Sequence, residues 1–251
     1  MLKSLCFSLC LSGALFSKEA PSHPFNPNTP GDPLLNEIAL ETGTDKSSKH
    51  HNYTEVYAKY FSPLREKPIT FLEIGIFKGH SVKMWEDYFT SADLHFIDIT
   101  DERIEYSSDR SHYHYIDQSD IPSLRKFAKT IDGGFDIIID DGGHTMNQQI
   151  NSFKALFPFV KSGGIYIIED LHTSYSSSYG GVPWGSIKKR KRQTAIGYVL
   201  DLVHDLNYQS AKTHCADKNK SRAQLDETLN IYQKDIYSIH FYSSLCFIIK
   251  R

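Results

Sequence analysis

Short apolar runs that alternate with helical segments dominate the middle of this chain and limit the folds it can adopt. The clearest run, residues 69–76, is almost continuously apolar, which is typical of a strand buried on both faces of a parallel sheet. Further strands are predicted at residues 94–99, 113–116, 135–139 and 164–168, with helices at 81–89, 121–131 and 148–159 between them. The sequence therefore predicts an α/β fold with a doubly wound, mostly parallel sheet and right-handed crossovers.

The N-terminal end differs from this centre. Residues 1–17 join Lys3 to an uncharged apolar stretch that is too short for a membrane span of about 20 residues, a pattern typical of a secretory signal peptide. Five prolines in residues 21–33 predict a Pro-rich linker over 18–33, so that 34–251 form the folded domain. The leader predicts export, periplasmic or secreted, and a cytoplasmic location is the alternative.

The C-terminal third carries weaker patterns. Residues 195–206 predict an amphipathic helix, and the polar segment 211–228 predicts a flexible loop. Residues 236–241 and 245–249 predict an antiparallel hairpin that closes the sheet. Before them, the Ser-, Tyr- and Gly-rich segment up to residue 186 resembles a mobile lid, in which Tyr179 and Trp184 are candidates for stacking on a ring.

Charge and cysteine content exclude two classes of protein. Lys and Arg number 28 against 30 Asp and Glu, which leaves no overall basic field for a polyanion, so a nucleic-acid partner is not expected. The run KKRKR at residues 188–192 is either a solvated helix start or a patch for an anionic ligand. Four cysteines are too few for a disulfide scaffold. Loss of the leader would leave Cys215 and Cys246, whose pairing depends on the fold.

The turn after the first predicted strand carries a candidate cofactor site. Phe77 and His80 break the glycine fingerprint of nicotinamide enzymes, and an acidic residue before a glycine turn instead resembles the first motif of class I S-adenosylmethionine-dependent methyltransferases. Asp98 ends the second strand 23 residues after Gly75, close to the usual place of a ribose-binding carboxylate. The candidate cofactor-binding residues are Glu73, Gly75, Ser81, Asp98, Asp117, Gln118 and Asp140.

Two acidic pairs follow the fourth and fifth strands, which are neighbours in such a sheet. They are Asp140 with Asp141, and Glu169 with Asp170. Carboxylates brought this close repel one another, and a hard divalent cation, Mg²⁺ by preference, would hold them together. His144 is placed to stand over that ion as a general base. The alternative is that these residues form ordinary turns.

Several longer segments resemble one family, the macrocin (mycinamicin) O-methyltransferases. The specific segments are GTDK at residues 43–46 and IEDLHTSY at 168–175, and the likeness spans about residues 34–251. The resemblance implies a Rossmann-like methyltransferase fold and transfer of a methyl group from S-adenosylmethionine, with Mg²⁺, to a hydroxyl on a sugar. It implies that Asp141, Glu169 and Asp170 bind the metal and that His144 is the catalytic base.

Two features depart from that family, and they keep other functions open. The glycine loop after Gly75 is short, and the apparent leader is unexpected for an enzyme whose cofactor is made in the cytoplasm. The alternatives are a secreted, non-catalytic ligand-binding protein on the same fold, and a binder of anionic ligands that uses residues 188–192. The expected partner is a hydroxylated small molecule, with glycosides among the candidates, and a homo-oligomer is left open.

Overall fold

One seven-stranded sheet organises this computed structural model, which describes residues 31–184, 194–216 and 221–251. The strand order is β3-β2-β1-β4-β5-β7-β6. Neighbours among β1 to β5 run parallel, whereas β7 runs antiparallel to both β5 and β6. The strands are β1 (Thr70–Ile74), β2 (Asp93–Asp98), β3 (His112–Tyr115), β4 (Phe135–Asp140), β5 (Val160–Ile168), β6 (Ile236–Tyr242) and β7 (Leu245–Lys250). The predicted doubly wound sheet with its terminal hairpin is confirmed.

Helices cover both faces of the sheet. They are α1 (Leu34–Thr42), α2 (Tyr53–Phe61), α3 (His80–Tyr88), α4 (Ile121–Ala128), α5 (Met146–Leu156), α6 (Ala195–Ser210), α7 (Arg222–Leu225) and α8 (Ile231–Asp235). Side chains of α1, α2 and α3 pack on one face, around Tyr57 and Trp85. Those of α4, α5 and α6 pack on the other, around Phe153. Since each large apolar side chain contributes about 1.5–3 kcal/mol when fully buried, these two layers hold the central strands in place.

The polar segment after α6 is not the predicted loop. Residues Ala211–Ala216 continue α6 as a π-helix. Residues 217–220 lie outside the described residues, and α7 and a 3₁₀ turn at Asp226–Thr228 come after them. The α7 turn forms because the Ser221 hydroxyl and the Gln224 side chain cap each other's backbone N–H groups. Polar composition therefore misled the prediction, because it reflects exposure rather than the absence of helix.

Several predicted features lie outside the described residues. The signal peptide at 1–17 and most of the linker fall in residues 1–30, and the KKRKR run falls in 185–193. In the part of the chain that the structure describes, no helix is both long and apolar enough to cross a bilayer. Cys246 is a free thiol buried in β7, and the side chain of Cys215 lies outside the description.

A histidine cluster at the far edge of the sheet makes stability depend on pH. The His114 ring packs 4.4 Å from that of Phe127, and its Nε2 lies 3.1 Å from Nδ1 of His95. Burial, together with the neighbouring His95 and His112, lowers the pKa of His114 to about 4. The unfolded chain has a histidine pKa of about 6.5, so it takes up a proton first as the pH falls.

We therefore expect the free energy of unfolding to drop by about 1 kcal/mol between about pH 6.5 and about pH 4, after allowance for solvent at this half-buried ring. Asp93, which lies beside His95 and His112, limits the loss. Urea unfolding at about pH 7 and about pH 4 measures it. His114→Phe should reduce the difference, and an undiminished difference in that variant would contradict the assignment.

Candidate functional site

Two adjoining cavities open at the carboxyl ends of β1, β2 and β4, where the strand order reverses direction. The first, of about 400 Å³, runs along Asp98, Asp117 and Gln118 and is called the outer cavity here. The second, of about 700 Å³, is the inner cavity and reaches Ser81, His144 and Asp170. Both have Gly75, Phe77, Arg103, Asp141, Gly142 and Gly143 in their walls. A single extended ligand can therefore occupy both cavities.

Gly75 makes this junction possible. Its backbone is left-handed, with φ of 103°, and a Cβ at this position would clash with the backbone carbonyl of Asp141. The Gly75 amide donates to the carbonyl of Ile97 at 2.7 Å, so the turn remains tied to β2 as it leaves the sheet. Only glycine combines this conformation with so close an approach of two strand ends.

The carboxylate of Asp98 lies in the wall of the outer cavity. One oxygen accepts from the backbone N–H groups of Ile76 and Phe77 at 2.8 and 3.0 Å, and the other from Ile99 at 2.7 Å. A carboxylate has about four acceptor positions, so it retains capacity for a ribose hydroxyl. Asp98 thus orders the glycine loop and presents an acceptor to the cavity.

Gln118 and Asp117 line the same cavity in different ways. The Gln118 amide donates to Asp140 and accepts from the backbone N–H of Gly143 at 3.0 Å. Asp117 accepts from the backbone and hydroxyl of Ser119 at 2.7 Å each, which closes its own turn. Gln118 therefore holds the loop after β4 against the cavity, and Asp117 shapes the rim.

Two of the predicted cofactor residues point into the protein. The Glu73 carboxylate is fully buried and accepts from the Ser81 hydroxyl at 2.8 Å and the Trp85 indole at 3.1 Å. Asp140 is also fully buried and accepts from Gln118, Ser152 and Tyr166. Neither is in the wall of the outer or the inner cavity, and each is hydrogen-bonded to a residue that is, Ser81 or Gln118. Their cofactor role stays a prediction.

The three predicted metal ligands directly follow β4 and β5, and a buried lysine contacts two of them, Asp141 and Glu169. Asp140 pairs with Ile168 in the sheet register, which brings the next residues of both strands together. The Lys46 ammonium contacts Asp141 and lies 3.0 Å from Glu169 Oε2 and 3.5 Å from Glu73 Oε1. Lys46 is 1% exposed, so this cation sits in the protein interior.

Two tyrosines of α2 complete the acidic centre. The Tyr57 hydroxyl donates to Glu169 Oε1 at 2.5 Å, and the Tyr53 hydroxyl donates to Asp170 Oδ1 at 2.6 Å. Sequence reasoning assigned neither tyrosine nor Lys46 a role in the site. The available signal was the Lys46 in GTDK and the Tyr-x₃-Tyr spacing, which places both hydroxyls on one face of a helix.

The acidic centre divides into two overlapping groups that share Asp141. In the inner group, oxygens of Glu73, Asp141 and Glu169 lie within 4.8 Å of one another, around Lys46. In the outer group, the same limit joins Asp141, His144 and Asp170. His144 Nε2 lies 3.5 Å from Asp170 Oδ2 and 3.8 Å from Asp141 Oδ1. Asp141, His144 and Asp170 are all in the wall of the inner cavity, so a ligand bound in that cavity can contact them.

A strained loop and a helix cap hold His144 in this position. His144 has a left-handed backbone, with φ of 56°, just before α5. The α5 helix begins with a capping box between Thr145 and Gln148, which fixes the end of the loop. His144 Nδ1 is buried without a hydrogen-bond partner among the described residues. The ring thus directs Nε2 towards two carboxylates and leaves Nδ1 unpaired, and a left-handed backbone with an unpaired buried nitrogen is typical of a functional site.

Burial and repulsion raise the pKa values of the inner carboxylates. Burial, opposed by Lys46 and reinforced by Asp141, raises the pKa of Glu73 to about 7. Burial and then Asp141 raise the pKa of Glu169 well above its usual range. Burial also opposes the charge on Lys46, but Asp141, Glu169 and Glu73 outweigh it and raise its pKa. One ammonium therefore faces more carboxylate charge than it can offset.

This excess of negative charge fits a hard cation. Carboxylate oxygens are the donors that Mg²⁺ prefers, and Asp141 and Asp170 present theirs to the inner cavity. Glu169 uses one lone pair on each oxygen for Tyr57 and Lys46, and each oxygen retains another. Asp141 and Asp170, together with the remaining lone pairs of Glu169, therefore suit a divalent cation beside the inner cavity.

The segment after β5 contributes an aromatic side chain to the wall of the inner cavity. Tyr179 lines this cavity, with its ring centroid 6.4 Å from that of His144. Trp184 is 72% exposed, and its ring lies 4.7 Å from that of Tyr175. The structure thus brings Tyr179 to the inner cavity, whereas the Trp184 ring packs on Tyr175. Their stacking role and the lid remain predictions.

Comparison with known proteins gives one family match and several relatives. Residues 72–171 match a family model described as a methyltransferase domain. The chain is 33% identical over 226 residues to the 8-demethyl-8-alpha-L-rhamnosyl tetracenomycin-C 2'-O-methyltransferase of Streptomyces olivaceus, covering 87% of this chain and 55% of that enzyme. It is also 33% identical over 229 residues to the demethylmacrocin O-methyltransferase of Streptomyces fradiae, covering 88% and 54%.

A solved structure shares the fold. The MycE methyltransferase from the mycinamycin biosynthetic pathway, in complex with Mg and SAH, superposes with a TM-score of 0.74 at 29% identity, covering 88% of this chain and 55% of that one. A second MycE complex also contains mycinamycin VI and gives a TM-score of 0.71 at 28% identity, covering 86% and 54%. The chain spans about half the length of the relatives it matches.

Proposed function

The chain belongs to the S-adenosylmethionine-dependent methyltransferases of the macrocin and mycinamicin O-methyltransferase group, and we propose that it methylates a hydroxyl of a sugar or related diol with the help of Mg²⁺. One observation carries this proposal. Asp141, His144 and Asp170 converge on the cavity that adjoins the one lined by Asp98. A base, a cation site and a cofactor cleft thus share one space.

The two cavities suggest how the cofactor lies. We assign the adenosine part to the outer cavity, where Asp98 accepts from the ribose and Asp117 and Gln118 border the adenine. The methionine part then passes Gly75 and extends towards Ser81 in the inner cavity. This direction leaves the sulfonium methyl on the side of His144.

The residues of the inner cavity supply the remaining chemistry. His144 takes the proton of the acceptor hydroxyl on Nε2, while that oxygen bonds to the methyl carbon and the carbon–sulfur bond breaks, leaving S-adenosylhomocysteine. Asp141, Glu169 and Asp170 would hold the metal ion, which when bound would supply a Lewis acid that lowers the pKa of the acceptor hydroxyl. Tyr53 and Tyr57 hold two of those carboxylates in position. The related enzymes are named for sugar-bearing substrates, which supports a glycosylated acceptor.

The first test is binding of the cofactor itself. Asp98→Ala should weaken S-adenosylhomocysteine binding by about 2 kcal/mol, roughly 30-fold, because charge-assisted hydrogen bonds to the ribose are lost. Isothermal titration calorimetry of the purified chain measures the effect. Asp101→Ala, at a nearby exposed carboxylate, is the control and should bind normally. Unchanged affinity in Asp98→Ala would reject its ribose role, and no binding by the unaltered chain would reject the enzyme.

Location is a separate proposal. The leader predicts export, but the methyl donor is made in the cytoplasm, and we propose that the active protein is there. We expect mass spectrometry of the protein from its native host to find residues 1–17 intact in the soluble cytoplasmic fraction. A mature N-terminus between residues 14 and 18 would establish export instead and would count against the proposed activity.

A further inference from the structure

A buried ammonium stands among three carboxylates of the acidic centre. The inner group of Glu73, Asp141 and Glu169 has oxygens within 4.8 Å of one another, which is the spacing of a cation site. Lys46 Nζ lies among them, in contact with Asp141, 3.0 Å from Glu169 and 3.5 Å from Glu73. These contacts join the ends of β1, β4 and β5, so one side chain links three neighbouring strands.

Burial and backbone hydrogen bonds fix the position of Lys46, which is not a flexible surface lysine. Lys46 is 1% exposed, and its backbone carbonyl accepts from the Thr54 amide at 3.1 Å, at the start of α2. Its amide lies 3.4 Å from the Thr44 hydroxyl. Around its tip, Glu73 and Glu169 are at most 2% exposed, so water does not screen the charge.

The outer group differs in the properties that matter for an exchangeable ion. Asp141, His144 and Asp170 are partly exposed to the inner cavity, with side chains about one-fifth exposed. Lys46 contacts Asp141 through Oδ2, and Oδ1 is the oxygen nearest His144. Asp141 thus directs Oδ2 towards the inner group and Oδ1 towards the outer group. Two cations bound to the Asp141 carboxylate would lie close together, and the Lys46 ammonium is already one cation in contact with it.

We propose that Lys46 is a positioning residue that acts as the built-in cation of this centre and limits it to one divalent ion. Its charge takes the place of a second metal ion at the inner group, and its contacts hold Asp141 and Glu169 in place for the one ion that Asp141, Glu169 and Asp170 would bind. The inference rests on the proposed function in that it assumes a divalent ion binds there. A lysine in this role permits a single exchangeable ion and excludes a bridged metal pair.

The test counts Mn²⁺ ions bound to the purified chain, with Mn²⁺ alone as the probe. Calorimetry and electron paramagnetic resonance should show one uncoupled ion in the unaltered chain. Lys46→Met should bind two ions, and because Asp141 would bridge them, their resonance should show spin coupling. The double variant Lys46→Met with Glu73→Gln removes one carboxylate of the inner group and should return to one ion. Lys129→Met, at an exposed lysine after α4, is the control and should match the unaltered chain.

Each outcome of this test either supports the inference or contradicts it. A spin-coupled pair in the unaltered chain overturns the inference without any variant, and so does a folded Lys46→Met protein that still binds one ion. If Lys46→Met fails to fold, recovery of folding by the double variant supports charge compensation, and failure of both leaves the unaltered chain's ion count as the deciding measurement. No Mn²⁺ bound to the unaltered chain refutes the proposed metal dependence itself.

Discussion

Replacing His144 with alanine is expected to lower kcat for methyl transfer by about 100- to 10,000-fold, the range that a general base contributes. The reason lies in its placement, since Nε2 faces Asp141 and Asp170 on the wall of the inner cavity. The variant should retain its affinity for S-adenosylhomocysteine, because the outer cavity holds most of the groups assigned to the cofactor. Single-turnover transfer from labelled S-adenosylmethionine to a glycosylated acceptor, beside calorimetry, separates the two effects.

The matched control for this variant is His214→Ala. His214 is exposed in the π-helical segment after α6, and its removal should leave the rate unchanged. His144→Gln keeps much of the side-chain volume but supplies no basic nitrogen, so it should be as slow as the alanine variant. A glutamine variant with near-normal kcat would show that His144 shapes the cavity without moving a proton.

Loss of one acidic side chain at the metal centre should have an effect of similar size. Asp170→Asn leaves the Tyr53 hydroxyl without its carboxylate partner and removes one charge from the outer group. Because a metal ion contributes several kcal/mol to such a reaction, kcat should fall by at least about 100-fold. Chelation of the unaltered protein should give the same loss, and added Mg²⁺ should restore the chelated protein but not the variant.

Cofactor affinity is the internal control for the metal variant, since it should stay within about twofold. Asp132→Asn, at an exposed carboxylate between α4 and β4, is the external control and should respond to Mg²⁺ normally. Activity that is indifferent to chelator, or full transfer by a variant lacking Asp141, Glu169 and Asp170 together, would remove the metal from the mechanism. These residues would then be turn-formers, the alternative that the sequence leaves open.

The sheet and the edge that carries the site could be predicted because they depend on local patterns. Apolar runs of strand length mark β1, β4 and β5, and carboxylates directly after such runs must meet at one edge of a parallel sheet. Asp98, Asp141 and Asp170 were located in this way. Element ends shifted by a few residues where caps decide them, as at α5, which starts at its capping box rather than at residue 148.

The second layer of the site could not be predicted in this way. Lys46 and Glu169 are separated by 123 residues in the sequence, and Tyr53 and Asp170 by 117. No local period reports contacts over such distances. Lysine is also among the residues least often buried, so composition favours a solvated side chain. The directions of Glu73 and Asp140 depend likewise on side-chain partners that a strand pattern does not reveal.

The origin of these contacts sets a limit on how this chain can be recombined with others. The segment that matches the methyltransferase domain starts at residue 72, whereas the ammonium and both tyrosine hydroxyls of the acidic centre come from residues 46–57. A chimera joined between α2 and β1 would inherit the cofactor cleft from one parent and the innermost charge of the reaction centre from the other. The smallest exchangeable unit therefore begins before Gly43, and a graft of the sheet alone would transfer a binding fold without its chemistry.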